Sequence, residues 1–116
     1  MTVLTQGKQT GEFLLSEANG DRSREVVTVT VAGAVALPSG QVLGKITATG
    51  KYVAYSNAAS NGSETAAAVL LNACPGTNGD YKCTVFVRDC EVWESMLTGI
   101  DSNGKTDLTA LGVIVR

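Results

Sequence analysis

The segment Gly99-Ile-Asp-Ser-Asn-Gly104-Lys105-Thr106 matches the phosphate-binding pattern G-x4-G-K-[ST] at every fixed position. In that chemistry backbone amides cradle phosphates, the lysine neutralises them, and the threonine hydroxyl ligates magnesium. It needs a buried strand before the loop, a long helix after it, and an acidic magnesium ligand on a later strand. Here only ten residues follow Thr106, and no acidic residue follows Asp107. Gly112 and the Val113-Ile-Val115 run leave about one and a half turns of helix. The match is read as a loop holding an Asn-Gly turn. Asp101, Asn103 and Asp107 are spaced faintly like a calcium loop, but Thr106 replaces the required central glycine and Gly112 the bidentate glutamate. Asp89, Glu91 and Glu94 could suggest paired carboxylates for acid–base work; mixed with Arg88, they read as a solvated strand end and turn. Asn61-Gly62-Ser63 has the form of a glycosylation sequon.

The chain contains no histidine. That removes the usual general base at neutral pH, the commonest metal ligand, and every Ser-His or Cys-His nucleophile pair. Cys74, Cys83 and Cys90 form an odd set without Cys-x-x-Cys spacing, so neither a zinc ribbon nor a thioredoxin-type pair is present. They read as buried small hydrophobes of a reducing compartment, with a disulfide or a reactive thiol as the alternatives. The expectation is a protein that is not an enzyme and holds no cofactor or metal.

The 116 residues provide room for one small domain. Hydrophobic residues make up 44% and charged residues 17%, against about 25% charged in an average domain. This balance argues against disorder over most of the chain and for apolar surface meant for partners. A formal charge of −2, from 9 basic and 11 acidic side chains, offers no footprint for a nucleic-acid backbone. No apolar run is long enough to span a membrane, and the opening residues lack the apolar core of a signal peptide, so neither a membrane partner nor export is expected.

The elements that must position these residues are short. Four Asn-Gly pairs punctuate the chain, at Asn19, Asn61, Asn78 and Asn103, each a strong turn signal. Val26 to Val31 alternates, with Val27, Val29 and Val31 on one face. Gln41 to Thr47 and Lys51 to Tyr55 read as a hairpin. Lys82 to Cys90 reads as one long strand, with Cys83, Val85 and Val87 sharing a face, and Val113 to Arg116 as the last strand. Ala66 to Asn72 is ambiguous between helix and strand, and its loop flanks and short length favour strand. A short helix is expected at Asp107 to Leu111, capped by Thr106 and stopped by Gly112. The fold class is therefore mainly β, a β-rich α+β domain with one short C-terminal helix in a small barrel-like or sandwich-like arrangement.

The first residues differ. Residues 1–22 read as a flexible N-terminal arm and residues 23–116 as the β-rich domain, because Met1 to Gly11 is polar and offers little apolar area against its ordering entropy. Phe13-Leu14-Leu15 is either the first core strand or an apolar anchor on that arm, able to add a strand to a partner's sheet. Trp93, the single tryptophan, is either core or an exposed aromatic anchor at a subunit interface.

The succession of segments resembles the head decoration protein family of lambda-like tailed bacteriophages. It runs through Glu12-Phe-Leu-Leu-Ser-Glu17, Arg22-Ser-Arg-Glu-Val-Val27, Gly40-Gln-Val-Leu-Gly-Lys-Ile-Thr47, Gly50-Lys-Tyr52, Gly62-Ser-Glu64, Val87-Arg-Asp89 and Leu111-Gly-Val-Ile-Val-Arg116. These span most of the chain from Glu12 onward, while the cysteines and the stretch from Glu91 to Lys105 depart from the pattern. The resemblance implies a structural protein of the virion, made in the host cytoplasm and carried on the outer capsid surface. It implies homotrimers bound to the major capsid (coat) protein at threefold and quasi-threefold positions after expansion, stabilising the shell against packaged DNA. It further implies coat contact through the arm, for which the candidates are Thr2, Val3, Leu4, Thr5, Glu12, Phe13, Leu14, Leu15, Ser16 and Glu17; the aromatic-anchor reading makes Trp93 a candidate trimer contact. The alternative is a non-enzymatic β-domain binding module of a phage tail or adhesin.

Overall fold

Valine alternating with polar residues makes a strand whose one face must be covered, and the chain covers it by closing a barrel. The computed structural model describes residues 13–17, 23–31, 36–74 and 76–116. Its strands are β1 (Leu14–Glu17), β2 (Arg24–Val31), β3 (Val42–Lys45), β4 (Tyr52–Ala54), β5 (Ala66–Leu70), β6 (Gly79–Phe86), β7 (Cys90–Val92) and β8 (Val113–Val115). A 3-10 turn at Glu94–Met96 and one helix, α1 (Ser102–Leu111), lie between β7 and β8. The barrel closes in the order β2-β4-β3-β5-β6, and β1-β7-β8 form a separate three-stranded sheet. All barrel pairings are antiparallel except β2 with β4; in the small sheet β7 pairs antiparallel with β1 and parallel with β8. The fold is mainly β, as the turn spacing implies.

The interior divides into two clusters. One fills the barrel with Val29, Leu43, Ala68, Leu70, Val85 and their neighbours. The other lies between the barrel, α1 and the small sheet, around Phe13, Val69, Phe86, Val92, Leu108 and Val113. Strand β5 contributes to both, with Ala68 and Leu70 turned into the barrel and Ala66 and Val69 into the second cluster. A strand buried on both faces carries a continuous apolar run rather than an alternating one. That is why Ala66 to Asn72 gives no clear period, and strand is the form it takes.

Two elements differ in extent from the sequence reading. The strand expected over Lys82 to Cys90 begins at Gly79 and stops at Phe86. Asp89 then takes the left-handed conformation, φ 52°, and the chain resumes as β7 in the other sheet. The helix expected at Asp107 starts at Ser102. Its N-cap is Asp101, whose Oδ1 accepts the Gly104 amide at 2.7 Å, whereas Thr106 lies inside the helix and donates its hydroxyl to the Ser102 carbonyl at 3.0 Å. The Asn103-Gly104 pair thus sits in the first helical turn instead of a loop. Gly112 does end the helix, in the left-handed conformation at φ +93°, with its N–H bonded to the last carbonyls.

Candidate functional site

The described part of the N-terminal segment begins with a core side chain. Phe13 is 1% exposed and meets Phe86 edge-to-face at 5.8 Å between ring centroids. Its carbonyl accepts the Trp93 amide at 2.8 Å. Leu14 follows, paired with Val92 and packed against the same cluster. Between the two reading alternatives for Phe13-Leu14-Leu15, Phe13 and Leu14 take the core role, and only Leu15 turns outward, at 40% exposure. The register slips between Leu14 and Ser16, so Leu15 is the extra residue that a bulge pushes out of the ladder.

Polar contacts then fasten β1. Arg24 donates to both Glu17 carboxylate oxygens, at 2.7 and 2.9 Å, while its guanidinium lies 5.2 Å from the Phe86 ring centroid. The Arg24 hydrogen bonds hold the Glu17 carboxyl below its ordinary range. One residue earlier, Ser16 donates its hydroxyl to Glu91 at 2.7 Å, and Arg116 donates to the other Glu91 oxygen at 2.6 Å. The Ser16 hydrogen bond, followed by that of Arg116, likewise holds Glu91 low. Ser16, Glu91 and Ile114 occupy one row of the sheet, because Glu91 pairs with both.

The outer face of β1-β7-β8 consequently carries a polar line bordered by apolar side chains, with Leu15 and Ile114 40% and 47% exposed. Beside it a groove of about 600 Å³ is lined by Ser16, Cys90, Glu91, Thr109, Gly112 and Ile114. Strands β1 and β8 each have one neighbour in this sheet, so their outer edges carry backbone groups outside its ladder. Trp93, directly after β7, is 46% exposed. Thr2, Val3, Leu4, Thr5 and Glu12 lie outside the described residues, as do residues 18–22 of the expected arm.

The other motifs resolve into structure-holding contacts. The Gly99–Thr106 stretch has its Gly104 amide bound by Asp101 and its Lys105 ammonium 3.3 Å from Glu94. Glu91 and Glu94 are thus each engaged by a cation, Glu91 by Arg116 and Glu94 by Lys105. In the sequon-like turn, Asn61 Oδ1 accepts both the Ser63 amide and the Ser63 hydroxyl. The Ser63 backbone packs so closely on Gly44 that a Cβ there would lie 2.5 Å from the Ser63 carbonyl oxygen. All three cysteines are buried as free thiols. Among the described residues no group of His, Cys, Asp or Glu side chains could hold a metal ion, and no helix is long and apolar enough to cross a membrane.

Sequence reasoning did not single out Ile114 or Arg116. The alternation of Val113 and Val115, both buried, around Ile114 was the available signal. A family model described as "Bacteriophage lambda head decoration protein D" matches residues 3–113. No curated protein matches the chain.

Proposed function

The chain belongs to the bacteriophage lambda head decoration protein D family, and from that premise we propose that it docks on the expanded head as a homotrimer and stabilises the shell against packaged DNA. Membership itself carries the coarser statement: this is a structural phage protein that decorates the capsid and belongs to the virion. The finer reading assigns residues 1–22 as the segment that meets the major capsid protein, at threefold and quasi-threefold positions. Residues Thr2 to Thr5 and Glu12 supply its outer contacts, and Leu15, Ser16 and Glu17 the contacts beside β1.

The observation that supports this arrangement is the fastened base of the segment. Phe13 and Leu14 hold it to the core, and Ser16 and Glu17 lock it by side-chain bonds, so its base is held at a defined place on the domain. Within the proposed contact set, Phe13 therefore serves as the root of the segment and not as the group that fills a coat pocket. Strand addition to the outer edge of β1 would supply main-chain hydrogen bonds, and Leu15 an apolar contact beside them. One such contact is weak; three on a trimer act at high effective concentration, and the avidity far exceeds that of one.

The test is co-sedimentation with expanded heads that lack decoration protein, alongside unexpanded proheads. Deleting all of residues 1–17 would strip Phe13 and β1 from the core, so the informative truncation ends at residue 12. The full chain is expected to saturate expanded heads only, and the truncated chain to stay folded and fail to bind. Undiminished binding by the truncated chain would refute the arm assignment. A folded full chain that binds neither form would refute capsid binding and leave the tail or adhesin module.

A further inference from the structure

Two of the three cysteines meet. The Cys74 and Cys83 sulfurs lie 3.2 Å apart, buried and within hydrogen-bonding range. Cys74 sits in the coil that leaves β5, where it exchanges backbone hydrogen bonds with Leu37 at 3.1 and 2.7 Å. Cys83 lies on β6 opposite Val27. Both side chains belong to the cluster that fills the barrel, whereas Cys90 belongs to the other cluster. We propose that Cys74 and Cys83 are an oxidisable dithiol, which a small peroxide converts into an intramolecular disulfide that staples the β5–β6 turn to the barrel wall.

The pairing is favoured by geometry. The sulfurs need close by only about 1.2 Å to reach the bonded distance of roughly 2.05 Å. Residue exposures of 3% and 6% leave little access for a bulky disulfide reagent, which selects a small neutral oxidant. Burial and then the Cys83 hydrogen bond push the Cys74 thiol up to about 12, so Cys74 stays protonated at neutral pH and its oxidation by peroxide is slow. In the first step one thiol gives up its proton and the thiolate attacks a peroxide oxygen. The O–O bond breaks, and the departing hydroxide takes up that proton as water. The partner sulfur then attacks the sulfenic sulfur, the S–O bond breaks, and a second water leaves with the partner's proton. Two thiols have lost two electrons, and the peroxide has gained them. The ring so closed ties the coil at the Leu37 bridge to β6 and removes freedom from the unfolded chain. The chemistry is independent of the capsid-binding reading.

The test uses the full chain with hydrogen peroxide near stoichiometry. Trypsin separates the three cysteines, because Lys82 lies between Cys74 and Cys83 and Arg88 between Cys83 and Cys90. The expected product has lost the mass of two hydrogens. Its unreduced digest joins the peptide ending at Lys82 to Cys83–Arg88, and Cys90 remains open to alkylation after denaturation. The melting temperature should rise by about 10 °C and fall back with dithiothreitol. A link through Cys90 or to a second chain would overturn the proposal, as would sulfinic acid at Cys74 or Cys83 without a link. The correct link without a rise in melting temperature would overturn the staple.

Discussion

Phe13 and Leu15 are two residues apart and assigned opposite duties, so a pair of substitutions separates folding from docking. Phe13 is 1% exposed and in edge-to-face contact with Phe86. Truncating a buried phenylalanine to alanine costs about 3–5 kcal/mol, the lost transfer energy plus the cavity left behind, and the aromatic pair adds to the upper part of that range. Among the described residues, strand β1 has only β7 as a neighbour, and collapse of the site after truncation would bring the figure down, so about 4 kcal/mol is the central expectation. For a domain of this size that is a fall of about 15 °C in melting temperature. Leu15 is 40% exposed, and Leu15→Ala should stay within about 0.5 kcal/mol of the parent.

Thermal unfolding of the isolated chains, followed by circular dichroism, reads the first effect, and co-sedimentation with expanded heads at a temperature where both variants are folded reads the second. Phe13→Ala is expected to melt early and, while folded, to bind heads. Leu15→Ala is expected to melt normally and bind more weakly. Refutation would be the reverse pattern: a Phe13→Ala chain melting within about 4 °C of the parent while losing capsid affinity would make Phe13 the anchor and the packing of β1 incidental.

Asp101 caps α1 and also accepts the Tyr55 hydroxyl at 2.8 Å, so Asp101→Ala should lower the melting temperature by several degrees and fray the helix start, seen as faster amide exchange at Gly104 and Lys105. Gly44→Ala places a methyl group against the Ser63 backbone, 2.5 Å from its carbonyl oxygen; expression and thermal melting should show it severely destabilised, whereas Ala67→Gly on the neighbouring strand should be mild. The pH profile of melting should be flat through the neutral range, because the chain has no histidine, and should fall on both sides. Native carboxyls held low lose their stabilising effect as acid protonates them, so for Glu17 and Glu91 the loss begins below the ordinary value of 4.5. Groups pushed up lose theirs as alkali ionises them, from about 9 for Cys90 and about 10 for Tyr55; a midpoint of stability loss between pH 6 and pH 8 would contradict both signs. Trp93→Ala should leave the monomer folded and reduce trimer occupancy on heads; full occupancy would remove Trp93 from the trimer contact.

Much of the fold was legible because several strands obey one rule each. Val27, Val29 and Val31 alternate inward, the Ala48-Thr49-Gly50 break joins β3 to β4, and the Val113–Val115 alternation closes the chain. What was not legible depends on partners far along the chain. No local pattern says that β6 must stop at Phe86 so that β7 can pair with β1 and β8 in a second sheet. The Asn103-Gly104 pair carries a turn signal, and only the capping bond from Asp101 turns it into the first turn of α1. Phe13-Leu14-Leu15 is apolar throughout, and its division into two core side chains and one exposed one is decided by Phe86 and Val92, more than seventy residues on. At the site, Glu91 looked like a solvated carboxylate, and its double engagement by Ser16 and Arg116 requires the ends of the chain to meet.

That engagement also bears on how the proposed docking would be favourable on so small a face. A partner that orders exposed side chains spends part of its binding energy on their lost rotamers. Ser16, Glu91 and Arg116 are already bonded to one another across β1 and β7, and Glu17 and Arg24 are bonded in the same way beside them. A coat segment laid along the edge of β1 would therefore meet a polar row that is largely fixed in advance, with Leu15 and Ile114 as the apolar contacts. Two of the segments that carry the family likeness, Gly40–Thr47 and Gly62–Glu64, serve a different end. Gly44, Ser63 and Glu64 hold the loop between β4 and β5 against β3 through backbone proximity and the Glu64 bond to the Gly62 amide, a scaffold that any family member could share. On the proposed docking, recognition of one particular coat protein rests on side chains outside that scaffold, and exchanging Leu15 and Ile114 between two family members should transfer capsid preference while leaving both folds intact. If preference followed the glycine-rich turns instead, the outer face of the small sheet would not be the docking surface.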